Sequence, residues 1–140
     1  MSYILALELS GTPNETIIVE TLNLLAEINA LWYLEQWARG ESPPRSPADA
    51  GVRWIPDTPS TVASFESAPL VFERGAASCG PIAAVEVGYH RAAERVAGRS
   101  ATETAQRHRV ELARQGPLMW HAIRRSPWNI HNPTEGMVTQ

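Results

Sequence analysis

The single cysteine, Cys79, is the residue of this sequence best suited to nucleophilic chemistry. It stands between Ser78 and Gly80–Pro81, where a helix is predicted to begin. A thiol at a helix N-terminus meets the positive end of the helix dipole and unpaired backbone N–H groups, and both favour the thiolate. The same N–H groups can stabilise an oxyanion. The alternative is that Cys79 is a small buried hydrophobic residue.

His121 is the candidate for the base that a nucleophilic thiol requires. The alternating residues of 118–123 predict a strand, with His121 on the face opposite Trp120. An imidazole on a rigid strand can accept the thiol proton and hold the resulting ion pair. The alternative is a structural histidine with a satisfied ring. His90, His108 and His131 have no comparable apolar setting on a predicted strand.

Asn132, eleven residues after His121, is the candidate for the group that orients the imidazole. Its side-chain carbonyl can accept a hydrogen bond from the ring, as the third member of a catalytic triad does. Asn129 is a rival, since it is also an amide near the predicted turn at 126–129. For both residues the alternative is ordinary turn chemistry, in which asparagine is common.

The elements that position these residues follow from hydrophobic periodicity and from capping residues. The order is a strand, two helices and a strand meander, which predicts an α+β fold with one domain over 1–140. The six prolines of residues 41–69 predict a connecting loop within it. The predicted strands and helices are Tyr3–Leu9 (strand), Thr12 to about Arg39 with a stop at Gly40 (helix), Ser78 or Cys79 to Gly98 (helix), Arg107–Leu112 and Pro117–Arg125 (strands), and a short strand near Ile130.

Composition excludes several classes of protein. The chain has 140 residues, of which 44% are hydrophobic and 19% charged, so it is neither a disordered tail nor a coiled coil. One cysteine excludes an internal disulfide and a multi-cysteine zinc site. No apolar run approaches the ~18 residues of a membrane span. The first ten residues hold no basic residue, so we expect no secretory signal and no membrane partner.

Charge and motifs argue against a nucleic acid, a cofactor or a metal. Residues 1–73 hold three arginines and ten acidic residues, whereas residues 74–140 hold nine arginines and five glutamates. The arginines are scattered among glutamates, which predicts ion pairs within one domain rather than a nucleic-acid surface. No phosphate loop or dinucleotide fingerprint is present. Cys79, His121 and His131 contain no closely spaced pair of the kind that zinc sites use.

An ordered set of short motifs resembles the transglutaminase-like branch of the papain-like cysteine enzymes, and in particular the compact forms encoded by bacteriophages and prophages. The resemblance covers about residues 24–137. The matching segments are Ala30–Leu34, Ala50–Trp54, Gly75–Ala83, Trp120–Ala122 and His131–Met137. Two positions depart from the family pattern, because Ser78 and Asn132 stand where aspartate is usual.

The resemblance implies a papain-like fold, in which a central helix carries Cys79 at its N-terminus and packs on a small antiparallel sheet. It implies Cys79 as nucleophile, His121 as base and later acid, and Asn132 as orienter. The implied function is hydrolysis of an amide in a peptide or in peptidoglycan, in the bacterial cytoplasm during phage assembly or in a virion. The alternative is a structural component of the phage particle, in contact with other phage proteins, that keeps the fold with a weak or inactive site.

Overall fold

The long helix α1, Glu15–Ala38, lies at the centre of the fold. The computed structural model describes residues 3–8, 15–56, 64–124, 129–130 and 137–139, with side chains over 19–56 and 65–114. The apolar residues of α1 cover much of its circumference, so that one neighbouring element cannot bury them all. Its largest buried side chains are Leu24, Leu25, Ile28, Leu31, Tyr33 and Leu34. The helix ends beside Gly40, whose φ of +81° suits glycine, and the predicted stop is confirmed.

A small antiparallel sheet is built around β1, Tyr3–Glu8, which confirms the first predicted strand. β1 pairs antiparallel with each of three short strands. They are β3 (Ser64–Glu66), β5 (Asn129–Ile130) and β6 (Met137–Thr139). A separate pair, β2 (Arg53–Trp54) and β4 (Ala76–Ala77), is parallel. With these strands and its helices, the fold is α+β.

The proline-rich segment 41–69 is only partly a loop. Its first residues are irregular and are held to α1 by the Tyr33 hydroxyl, which donates a hydrogen bond to the carbonyl of Pro44 at 2.6 Å. Strands β2 and β3 lie within the segment, and α2, Ala68–Arg74, begins before it ends. The prediction of one connecting loop over 41–69 is therefore wrong at its C-terminal end, because proline is also well placed in the first turn of a helix.

Helix α2 is capped by a side chain from α1. The Asn29 Oδ1 atom accepts a buried hydrogen bond from the Ala68 N–H at 2.8 Å. Pro69 lies in the first turn, where its missing N–H leaves no helical bond unmade. At the other end, Gly75 has a φ of +68° and its N–H donates to the Val71 carbonyl. The start of α2 is thus fixed by α1 rather than by its own N-cap side chain.

Helix α3, Cys79–Val96, begins at the predicted residue and crosses α1 at very close range. A Cβ atom on Gly88 would lie 2.5 Å from the Asn29 Cβ and 3.0 Å from the Ala26 carbonyl oxygen. Only glycine permits this approach, since real Cβ atoms do not come so near. The main partner of α3 is therefore α1, with a smaller contact at β3, rather than the antiparallel sheet that the resemblance implied.

Helix α4, Ala101–Arg124, replaces the two predicted strands Arg107–Leu112 and Pro117–Arg125. Its start carries a capping-box pattern, in which the Glu103 N–H donates to the Ser100 Oγ at 3.5 Å. Thr104, Ala105 and His108 are buried at helical spacing, because α4 packs on α1. No helix in the described part of the chain has an apolar stretch long enough to cross a membrane.

Candidate functional site

Cys79 is the first residue of α3, and its side chain is exposed. The interpretation of Cys79 as a buried hydrophobic residue is therefore wrong. Ser78, the N-cap, is extended (φ −82°, ψ 174°), and its side chain forms no capping hydrogen bond. Its carbonyl accepts the Ile82 N–H at 3.2 Å. The N–H groups of Cys79 and Gly80 have no acceptor within the helix, so they point toward the end at which the thiol lies.

An apolar surface adjoins the chain that leads into Cys79. Ala77, two residues before the cysteine, is paired with Trp54 in the parallel strand pair, and its carbonyl accepts the Ile55 N–H at 2.9 Å. The Trp54 side chain is 62% exposed and the Ile55 side chain 44%. Cys79 therefore lies two residues beyond a strand pair whose other strand exposes Trp54 and is followed by the exposed Ile55.

His121 lies in the last turn of α4, and the prediction that a strand carries it is wrong. Helix α4 runs antiparallel to α1, since Thr102 and Ala105 at its start lie beside Ala38 and Arg39 at the end of α1. His108, further along α4, contacts Glu27 near the middle of α1. His121 is 13 residues beyond His108, or about 20 Å at the helical rise, toward the N-terminal end of α1.

The positions of Cys79 and His121 are related through α1. Gly80, the neighbour of Cys79, also lies toward the N-terminal half of α1, beside Leu22. The side chain of His121 lies outside the described side chains, so the structure gives no distance between it and the Cys79 thiol. Their pairing stays a prediction.

The third predicted residue, Asn132, lies outside the described residues, as does His131. The rival amide, Asn129, is in β5, where it pairs with Glu8 of β1. A metal site of Cys79, His121 and His131 would need the side chains of both histidines, and these lie outside the described side chains. Among the side chains that are described, no three His, Cys, Asp or Glu residues gather as metal ligands do.

A partly buried ionic cluster joins α1, α3 and α4 around Glu27. The Glu27 carboxylate accepts hydrogen bonds from Arg91 at 2.9 Å and from both terminal nitrogens of Arg95 at 2.7 and 3.0 Å. The His108 Nε2 atom lies 3.1 Å from the same carboxylate. Sequence reasoning missed this cluster. The available signal was the spacing of Arg91 and Arg95, which puts both on one face of α3.

One arrangement of protons satisfies His108. Its Nε2–H donates to the Glu27 backbone carbonyl at 2.9 Å, and its Nδ1 then accepts from Arg95 at 3.2 Å. This is the neutral ring. Burial lowers the pKa of His108, and the positive charge of Arg95 lowers it further, against the opposing effect of the Glu27 hydrogen bond.

The same cluster lowers the pKa of Glu27. Burial is the largest single influence on this carboxyl and would raise its pKa. The hydrogen bond and charge of Arg95, with the charge of Arg91 and, at acidic pH where the ring is protonated, that of His108, together outweigh burial, so the pKa lies below the ordinary value. Both shifts favour one charge state, an ionised Glu27 beside a neutral His108.

We expect the fold to lose stability on acidification in two steps. The unfolded chain protonates histidine near pH 6.5, whereas folded His108 protonates at lower pH, so unfolding takes up a proton and is favoured as pH falls below about 6.5. Glu27 adds a second loss of stability below about pH 4.5, because its carboxyl is protonated in the unfolded chain at a higher pH than in the fold. Urea unfolding between pH 7 and 5 measures the first step.

His108→Gln should reduce the loss of unfolding free energy between pH 7 and 5, because glutamine does not titrate. Its side-chain N–H can still donate to the Glu27 carbonyl. The matched control is His90→Gln, which changes an exposed histidine of α3. It should leave the change in unfolding free energy between pH 7 and 5 as it is in the parent protein. If His108→Gln and the parent protein lost the same unfolding free energy between pH 7 and 5, His108 would not be the group that causes the first step.

Comparisons with protein-family models, with curated proteins and with solved structures found no match to this chain. What the site does must therefore be argued from its own geometry.

Proposed function

We propose that this protein is a cysteine-dependent amide hydrolase of the transglutaminase-like, papain-like type, encoded by a phage or prophage. The observation that carries the proposal is the exposed Cys79 as the first residue of α3. The ordered motifs of the sequence support the same chemistry. The papain-like fold, and a place of action in the bacterial cytoplasm during phage assembly or in a virion, are parts of this proposal.

In the first step, the Cys79 thiolate attacks the carbonyl carbon of the substrate amide. A C–S bond forms, and the carbonyl oxygen becomes an oxyanion that the N–H groups of Cys79 and Gly80 are placed to stabilise. When the oxyanion collapses, the C–N bond breaks. The amine leaves with a proton from the imidazolium of His121, and a thioester remains on Cys79.

In the second step, a water molecule attacks the thioester carbon while His121 accepts a proton from that water. The C–O bond forms, the C–S bond breaks, and the acid leaves as the thiolate returns. Asn132 holds the imidazole in the orientation that serves both steps. The exposed Trp54 and Ile55, beside the chain that enters α3, suit the apolar side chain of a peptide or of a peptidoglycan stem.

Acylation by p-nitrophenyl acetate tests the nucleophile without knowledge of the natural substrate. We expect rapid release of nitrophenol and one acetyl group on Cys79, located by mass spectrometry after digestion. Cys79→Ser should abolish the rapid phase, and His121→Gln should slow it by about tenfold or more. Equal acylation of the parent protein and of a denatured control would contradict an activated thiol.

The third residue is tested by a pair of asparagine variants. Asn132→Ala should release the imidazole and lower the acylation rate by about tenfold or more, on the scale of about 1.4 kcal/mol per decade. Asn129→Ala is the matched control and should leave the rate unchanged. The reverse pattern would assign the role to Asn129, and no effect of either substitution would exclude a triad with these residues.

A second candidate function is that of a structural component of the phage particle with a weak or inactive site. The specific observation in its favour is the exposed apolar pair of Trp54 and Ile55, which suits a protein partner as well as a substrate. Acylation of Cys79 and association with phage structural proteins distinguish the two candidates. A structural role predicts no acylation of Cys79, together with loss of association with phage structural proteins in Trp54→Ser.

A further inference from the structure

A polar pocket lies where α1, α3 and α4 meet, away from Cys79. Its volume is about 240 Å³, and its walls include Arg95 and Arg99 near the end of α3, Arg107 and His108 of α4, and Glu27 of α1. One water occupies about 30 Å³ of liquid, so the pocket has room for a small ligand with some of its waters. It is smaller than the ~300 Å³ at which pockets for drug-sized ligands begin.

The acidic groups of this pocket are already compensated by arginine. The Glu27 carboxylate is bound by Arg91 and Arg95, and the Glu111 carboxylate accepts bonds from Arg114 at 2.6 and 2.7 Å. Arg99 and Arg107 form no ion pair with any side chain in the described ranges. Two positive charges at the mouth of the pocket are therefore left for a ligand.

A third guanidinium, that of Arg95, also lines the pocket. His108 is 7% exposed, and its ring forms part of the pocket wall beside the Arg95 guanidinium. Guanidinium groups bind the oxygens of phosphate and carboxylate groups in pairs, and a phosphate group carries the larger negative charge at pH 7.

We infer that this pocket binds a small phosphate-type oxyanion, held by Arg99 and Arg107 at its mouth, with Arg95 at its base. The ligand is either free phosphate or the phosphate group of an ester. The site is independent of the thiol chemistry proposed for Cys79, and neither depends on the other.

Isothermal titration of the full chain with inorganic phosphate at pH 7, at constant ionic strength, tests this inference. We expect saturable binding with one site per chain. The double variant Arg99→Gln, Arg107→Gln should weaken it by at least about tenfold, since two charge-assisted contacts are lost. The control is Arg45→Gln, an exposed arginine of the proline-rich segment, which should bind as the parent does.

Two other ligands identify the source of the phosphate group. Tighter binding of adenosine monophosphate than of phosphate would support a phosphate ester, and weaker binding would support the free ion. Acetate should bind at least about tenfold more weakly than phosphate, because it carries one negative charge whereas a phosphate group carries about 1.5 to 2 at pH 7.

Three results would overturn the inference: no saturable heat with phosphate, equal binding of acetate, or unchanged affinity in the double variant. Because Arg99 and Arg107 are exposed, we expect the double variant to fold, and circular dichroism checks this.

Discussion

Gly88→Ala is expected to destabilise the fold by about 3 kcal/mol, at the upper end of the range for overpacked interiors. The new Cβ would lie 2.5 Å from the Asn29 Cβ, 3.0 Å from the Ala26 carbonyl oxygen and 3.1 Å from the Ala30 nitrogen. None of these atoms is the end of a flexible side chain, so α1 and α3 must move apart. Alanine gains about 1 kcal/mol in helix propensity over glycine, which is too little to offset that separation.

Gly80→Ala is the matched control on the same helix. Its Cβ would meet only the end of the Leu22 side chain, with Cδ2 at 3.3 Å and Cδ1 at 3.9 Å, and that side chain can rotate away. We expect its free energy of unfolding to stay within about 0.5 kcal/mol of the parent value. Urea unfolding followed by far-UV circular dichroism measures both variants. Equal stability of Gly88→Ala and Gly80→Ala would contradict the close crossing of α1 and α3.

Cys79→Ala is expected to abolish thiol-dependent hydrolysis while changing the free energy of unfolding by no more than about 0.5 kcal/mol. The side chain is exposed at the start of α3, so its removal opens no cavity. Ile28→Ala gives the opposite pattern. Ile28 is 3% exposed in the core, and its truncation should cost about 2–5 kcal/mol of stability.

The contrast between these two variants separates chemistry from packing. Hydrolysis of peptide and peptidoglycan fragments, measured beside urea unfolding, gives both quantities for each protein. If Cys79→Ala were the more damaging to stability, Cys79 would be a packing residue. If hydrolysis survived in Cys79→Ala, the proposed nucleophile would be wrong.

Local signals in the sequence predicted the elements whose periodicity and end signals agree. The apolar repeat of α1 and the glycine at position 40 mark a helix and its end, and both are confirmed. The start of α3 at Cys79 follows from the residues before Gly80–Pro81, and it is confirmed too. In these segments local preference and tertiary packing favour the same structure.

Other elements depend on contacts that a local pattern does not show. Alternation over residues 118–123 is as compatible with one side of a helix as with a strand, and Gly116–Pro117 suggests a break that α4 does not have. The capping box at Ser100 and Glu103 was the overlooked signal. Helix α2 was missed because its N-terminus is capped by Asn29, which is distant in the sequence.

The candidate site shows the same division. The position of Cys79 at a helix start follows from local residues, whereas its exposure is known only from the structure. The cluster of Glu27 with His108 does not, because its members lie 81 positions apart and meet only when α1 and α4 pack. The roles of His121 and Asn132 remain predictions drawn from residue types and from the resemblance.

The rate at which iodoacetamide alkylates Cys79 is the most direct measurement of whether the thiol is an activated nucleophile paired with His121. At pH 7 we expect the parent protein to react faster than a short cysteine peptide, because the helix N-terminus and an imidazolium both favour the thiolate. His121→Ala should return the rate close to that of the peptide. A parent protein that reacts no faster than the peptide, or that is fully protected, would contradict the proposed nucleophile.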